Sequence, residues 1–240
     1  MSAEWFVRII VRYWPLFLRG AGLSLLLALV GTLAGLLIGL GVASVKSLPP
    51  GRTVAGRVLR RAVNLLLTCY IELFRSTPMM VQAMVIYYGS EMFFGISVDK
   101  LTAAFFIISI NTGAYMSEIV RGGIFAVPKG QVEACRAIGL THGQSMLYVV
   151  LPQTLRNILP ATANEFIINL KDSSVLNIIS VNELFFVSRS VAGANIRYFE
   201  TFLITSVIYL AMTLPMNRLL KYFERRMDGP RTFNVKEVTG

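Results

Sequence analysis

Five apolar stretches separated by short polar segments run along this chain. The first of them holds the uncharged stretch Ala21 to Val45, 25 residues. As a helix rising about 1.5 Å per residue it extends about 37 Å, more than the roughly 30 Å of hydrocarbon in a bilayer, so it can span with tilt. A cleaved leader would place a shorter apolar core nearer the start and small residues at a cut site, whereas Lys46 follows this run. A second stretch, Ala62 to Phe94, would be about 50 Å long if straight, and is predicted to bend at "STP", where Pro78 removes a backbone donor. Leu101 to Ser117, Asn157 to Ser180 and Thr201 to Leu220 supply three further spans. Ahead of them all, "WFVRIIVRYWPLF" sets aromatics and arginines around a helical period, which predicts an interfacial amphipathic helix over residues 1–18. The pattern therefore predicts an all-α integral membrane protein: that helix, a transmembrane region over 19–222 with five transmembrane helices, and a tail over 223–240.

Charge orients the spans. The loop "KSLPPGRTVAGRVLRR" carries Lys46, Arg52, Arg57, Arg60 and Arg61 without an acid, which places it in the cytoplasm. The turn "GSEMFFGISVDK" is nearly neutral and fits the outside, and "NRLLKYFERR" returns basic to the inside. Five spans then put the N-terminus outside and the C-terminus in the cytoplasm of a multi-pass cell membrane protein, with Arg8, Arg12 and Arg19 a mild dissent. The chain is 55% hydrophobic and only 15% charged, which excludes an ordinary water-soluble domain. Its net charge of +10 is gathered beside apolar spans, the footprint of topology and lipid headgroups and not of nucleic acid. In the first span Gly31, Gly35 and Gly39 recur every four residues, which either clears one face for close helix contact or is glycine simply tolerated in lipid.

The topology puts one polar stretch, "EACRAIGLTHGQSMLYVVLP", on the cytoplasmic side. Pro128 suits a helix start, and Gly139 offers the left-handed residue that ends one. Thr141 stands three residues before Gln144, a capping-box pair that opens a second helix, "HGQSMLYVV", interrupted by Pro152. A helix, a sharp turn and a helix result over 128–152. So short a unit needs lipid or a protein groove for its apolar side, so it is either a docking element or an inner loop lying on headgroups.

These residues carry a resemblance. Glu133-Ala134-Cys135, three residues, Gly139, nine residues, then Val149-x-Leu151-Pro152 resembles the EAA loop of bacterial ABC importer permeases, EAA-x3-G-x9-I-x-LP. The departures are Cys135 for the second Ala and Val149 for Ile. "YIELFRSTPMMVQAMVIYYG", "YMSEIVRGGIFAVPKGQVEA" and "LPQTLRNILPATANEFIINLKDSSVLNIISVNEL" are similar to the polar amino acid subfamily. The resemblance implies a coupling helix seated in a groove on a cytoplasmic ABC ATPase subunit, a second permease subunit of the same or a similar chain, and an extracytoplasmic solute-binding protein. It makes Glu133, Ala134, Cys135, Gly139, Thr141, Gln144, Val149, Leu151 and Pro152 the ATPase-coupling residues of a permease for a polar amino acid.

Ionisable residues at membrane depth cost about 2.5 to 3.5 kcal/mol each, so those present pair or line a cavity. Glu72 and Arg75, three apart on a helical face, read as a structural ion pair, and Glu118 with Arg121 repeats the spacing as a gate or packing pair. Glu165 is a further acid in a span. "KDSS", Lys171, Asp172, Ser173 and Ser174, sets both signs beside two hydroxyls. If the helix breaks there, the four can meet the carboxylate and ammonium of a zwitterion; otherwise Lys171 and Asp172 form an internal network. Ser76 and Thr77, beside the Pro78 bend, are weaker substrate candidates because they can simply satisfy freed carbonyls. His142, in the polar turn, reads as a surface residue near a partner.

Cys69 and Cys135 have no metal-ligand spacing, so neither a metal nor a cofactor is expected. Asp99, Asp172 and Asp228 are scattered far from the single histidine, so a catalytic dyad is not expected. The chain contains no G-x-x-x-x-G-K-[ST] loop, so ATP would be hydrolysed by a partner. The competing transport reading is an ion-coupled secondary transporter or channel using Glu72, Glu118 or Glu165, without an ATPase.

Overall fold

The computed structural model describes residues 3–48 and 53–227. Arg52 and Asp228 lie outside the described residues, as does most of the expected tail. Nine α-helices follow one another: α1 (Ala3–Ser47), α2 (Val54–Ser76), α3 (Met79–Phe94), α4 (Lys100–Phe125), α5 (Lys129–Ala137), α6 (His142–Ser145), α7 (Leu151–Asp172), α8 (Leu184–Asn195) and α9 (Tyr198–Met227), all among the described residues. A π-helical stretch, Met146–Val150, joins α6 to α7, and a 3-10 stretch, Ser173–Ile179, extends α7.

The central packing is α1 against α4, side by side and parallel. Gly31, Gly35 and Gly39 face Ile108, Thr112 and Met116, where an added Cβ would stand 2.9, 2.6 and 2.6 Å from the nearest side-chain atom. Close contact is thus what the glycines provide, since without side chains the two backbones approach and gain dispersion contacts that lipid cannot match. Around this seam Leu27, Ala104, Ile107, Ile108 and Leu176 form one apolar core, and Ala43, Val120 and Ile158 a second.

The separate interfacial helix expected over 1–18 is corrected: α1 runs unbroken through Pro15 into the first span. An interior proline removes one helical bond at a cost of about 3 kcal/mol. Burial on both sides offsets it, because Ile9 and Phe17 pack with Leu184, Val191 and the half-buried Ile204 and Ile208.

Thr77 and Pro78 do divide the second apolar stretch, in extended backbone between α2 and α3. Asp99 opens α4 by accepting the Leu101 and Thr102 amides at 3.0 and 3.2 Å. Among the described residues, α1, α4 and α9 are each long and apolar enough to cross a membrane, and His142–Ile179 with Leu184–Asn195 forms a fourth candidate bent by 56°. The stretch α2–α3 falls outside that set, because α3 has 16 residues and α2 begins with Arg57, Arg60 and Arg61.

Candidate functional site

The polar stretch folds as an elbow. Helix α5 ends at Gly139, φ 82°, with the Gly139 amide donating to the Arg136 carbonyl and the Leu140 amide to the Cys135 carbonyl, both at 3.0 Å. This double bond pattern satisfies the last carbonyls of α5 and requires a left-handed residue at its centre. Thr141 then opens α6: its amide donates to Gln144 Oε1 at 2.9 Å, and the Gln144 amide to Thr141 Oγ1 at 3.3 Å. Cys135 is buried, which anchors the inner side of α5. Glu133, Ala134, Thr141, Gln144 and Pro152 are exposed, Val149 and Leu151 half-buried. The outer side also carries three large apolar groups in the open, Ile138, Leu147 and Tyr148, at 76, 58 and 68% exposure.

The expected interruption at Pro152 is a second correction. Helical backbone continues from His142 to Ile179 as one rod. Just before the proline the chain widens to a π-turn, in which the Leu151 amide donates to the Met146 carbonyl five residues back. Such a bulge absorbs the crowding that a proline ring imposes on the preceding turn. The Gln153 side chain adds a bond to the Val149 carbonyl at 2.9 Å. A cavity of about 380 Å³ lies behind the elbow, lined by Lys46 and Ser47 of α1, Arg121 and Phe125 of α4, and His142 and Met146. His142 is half-buried and not a plain surface residue, with Nε2 turned inward and unbonded.

Further along the rod the tetrad does not converge. The backbone stays helical as it changes from α to 3-10 at Ser173, so consecutive side chains point about 100 to 120° apart. Lys171 and Asp172 are exposed and form no direct ion pair. Ser173 is buried and its hydroxyl donates to the Leu170 carbonyl at 2.9 Å, while the Ser174 carbonyl accepts from Asn177 Nδ2 at 2.6 Å. Glu165, buried, lies on the same helical face as Asp172 with Asn169 between them. Asn169 holds that face in place: it accepts from Thr112 Oγ1 at 3.0 Å and donates to Thr32 Oγ1 at 2.9 Å, tying α7 to both α4 and α1.

The α2–α3 break is filled from inside. Gln82, buried, donates through Nε2 to the carbonyls of Phe74 and Thr77 and to Thr77 Oγ1, at 3.0, 2.8 and 2.8 Å, and accepts from Asn111 of α4 at 2.8 Å. Thr77 Oγ1 donates to the Leu73 carbonyl at 2.7 Å. Its hydroxyl is therefore spent on the last turn of α2 and on Gln82, and Ser76 is exposed beside it.

Of the two expected ion pairs one exists. Arg121 Nε donates to both oxygens of Glu118 at 3.1 and 3.0 Å. Glu72 and Arg75 do not pair; Arg75 extends over the Tyr115 ring of α4 at 5.6 Å. Helical spacing permits such a pair, but an aromatic face on the neighbouring helix offers the cation a competing partner.

Asn169, Gln82 and Glu183 are polar residues whose structural weight the sequence reading missed. Glu183 follows the fourth apolar stretch in the sequence, and in the structure it is wholly buried. For Gln82 and Asn169 the available signal was a polar residue flanked on both sides by apolar ones, which marks a group that must find a partner.

Residues 47–229 match the family described as "Binding-protein-dependent transport system inner membrane component". The glutamine transport system permease protein GlnP of Escherichia coli strain K12 is 38% identical over 216 residues, covering 89% of this chain and 93% of that protein. The arginine transport system permease protein ArtQ of Bacillus subtilis is 31% identical over 217 residues, covering 90% and 94%. A solved amino acid ABC transporter, crystallised with histidines, superposes with a TM-score of 0.81 at 38% identity, over 94% of this chain and all of that one. An all-helical chain built on long apolar helices, with a polar elbow feeding one of its spans, thus belongs to the binding-protein-dependent transport system inner membrane components, the multi-pass permease subunits of ABC importers.

Proposed function

We propose that this permease carries a polar amino acid, handed over by an extracytoplasmic binding protein, along a path beside Lys171 and Asp172, and that the elbow 128–152 receives force from a cytoplasmic ATPase subunit. The chain is a transport subunit and not an enzyme; ATP hydrolysis belongs to a separate subunit. The observation that carries the reading is the unbroken rod from His142 to Ile179. At one end it bears Thr141, Gln144 and the exposed Leu147 and Tyr148, and near the other Lys171 and Asp172. A helix of this length spans about 55 Å, so a push on the elbow arrives at the polar end without passing through a loop.

In this scheme five spans cross the membrane, α2–α3 counting as one, with the N-terminus outside and the C-terminus in the cytoplasm. The exposed side of the elbow, with Ile138 beside Gly139, fills a groove on the ATPase as an amphipathic helix does. A second permease subunit faces the exposed Lys171 and Asp172, and the two subunits rock around a site between them. Lys171 meets the substrate carboxylate and Asp172 its ammonium; Thr77 and Ser173 are less suited, their hydroxyls being bonded to backbone carbonyls, and Ser76 and Ser174 are secondary contacts. The names of the relatives, glutamine and arginine permeases, agree with a polar amino acid as substrate.

The test is uptake of labelled amino acids into proteoliposomes holding the permease, its ATPase and the binding protein. Import is expected to require ATP on the ATPase side and to ignore imposed proton or sodium gradients. Import that follows an ion gradient without ATP would establish the ion-coupled alternative instead.

A further inference from the structure

Glu183 has no part in the scheme above, yet it is 0% exposed, more enclosed than the buried Glu165 or Glu200. It sits where the rod gives way to α8 at the 56° bend, three residues past Ser180, whose φ is 60°. Its Oε1 accepts the Phe186 amide at 2.7 Å. Its Oε2 accepts the Phe185 amide at 2.8 Å, the Tyr209 hydroxyl of α9 at 3.3 Å and the Ser24 hydroxyl of α1 at 3.4 Å. Ser24 in turn accepts the Leu184 amide at 3.2 Å. One turn earlier, a Cβ on Gly20 would lie 2.9 Å from the Leu184 Cα, so α1 is pressed against the start of α8.

A helix cap alone does not need this. Asp99 caps α4 from an exposed position and bonds only its own helix. A carboxylate taken fully inside is costly unless donors surround it, and removing one of those donors leaves charge uncompensated. Here the donors come from α1, α8 and α9, so separating any of the three at this point exposes that penalty. A second tie lies one turn on, where the hydroxyls of Ser188 in α8 and Thr205 in α9 are 2.6 Å apart.

We propose that Glu183 is a positioning residue of the transport cycle. It welds the bend so that motion delivered along the rod reaches α8, α1 and α9 together and is not dissipated by α8 pivoting about Ser180–Asn182. This inference rests on the force-transmission reading above and adds where the force goes after Ile179.

The experiment uses the full transporter in proteoliposomes and compares the amount of amino acid imported per ATP hydrolysed in the unaltered chain and in Glu183→Gln, Ser24→Ala and Tyr209→Phe. Tyr209→Phe removes the α9 donor alone, while Ser24→Ala removes the α1 donor together with the acceptor of the Leu184 amide; both leave the Phe185 and Phe186 amides on the carboxylate, so they test the weld even where Glu183→Gln fails to fold. Dyes on cysteines placed at the exposed Arg189 of α8 and Leu203 of α9 report the α8–α9 distance distribution. The expected result is about a threefold or larger fall in import per ATP in each variant that retains the unaltered melting temperature, with hydrolysis continuing and the distance distribution broadened. An unchanged ratio with an unchanged distribution in Ser24→Ala and Tyr209→Phe overturns the weld. Failure of the unaltered chain to import with ATP would instead overturn the transport reading itself, so the two failures are distinct.

Discussion

Met116 on α4 leaves no room for a side chain on Gly39 of α1: a Cβ there would stand 2.6 Å from the Met116 Cβ and 2.7 Å from its carbonyl carbon. The second of these atoms is backbone and cannot swing away. Gly39→Ala is therefore expected to destabilise the protein by about 1 to 3 kcal/mol, the usual penalty for overpacking a filled interior. Gly41, two residues on, faces open space, and Gly41→Ala is expected to leave the melting temperature in detergent unchanged or slightly raised. Equal effects of the two substitutions would show that the α1–α4 seam is looser than described.

Gln82 supplies donors to two carbonyls freed at the Pro78 break and accepts from Asn111. Gln82→Leu leaves the Thr77 carbonyl without this donor and leaves Phe74 and Asn111 only their mutual 3.4 Å bond, and each unsatisfied buried group costs about 1 to 3 kcal/mol. The first turn of α3 should then exchange its amide hydrogens faster, and the melting temperature should fall. Thr77→Val loses a smaller set of bonds and should fall less. Unchanged exchange at Val81 and Gln82 amides in Gln82→Leu would mean the break is held by packing alone.

At Gly139 the constraint is conformational and not steric, since nothing lies within 4 Å of a Cβ there while φ is 82°. Gly139→Ala should cost about 1 to 2 kcal/mol in the elbow, because ordinary side chains disfavour the left-handed region. Gly139→Asn should cost less, as Asn visits that region more readily. Measured as ATPase subunit retained on purification, the expected order is Gly, Asn, Ala. An Ala variant that holds the ATPase as well as the unaltered chain would separate the elbow's shape from docking.

Asp172 is exposed and bonded to no neighbour, so its replacement should alter transport more than folding. Asp172→Asn is expected to raise the KM for import about tenfold, the loss of roughly 1.4 kcal/mol of binding, with an unchanged melting temperature. Lys171→Gln should act in the same direction. If KM holds while the melting temperature drops, these two residues are structural.

The elements that the sequence alone announced are those governed by local chemistry. Gly139, Thr141 and Gln144 shape the elbow through bonds within a few residues, so their order in the chain carries nearly the whole instruction. The glycine period of α1 and the Pro78 break were legible for the same reason: each reports the absence of a side chain or of a backbone donor.

Partner choice was not legible, because it depends on which helix lies alongside. Arg75 chose the ring of Tyr115 over Glu72, three residues away. Glu183 and Ser24, 159 residues apart, meet in the interior, and Asn169 found Thr32 across 137. Likewise the helix over 1–18 read as separate from the first span and Pro152 as an interruption, yet packing around Ile9 and Phe17 in one case and a π-turn in the other carried the helix through. A local signal sets what a residue can offer; in a protein whose backbone bonds are satisfied inside each helix, only the assembled bundle decides who accepts.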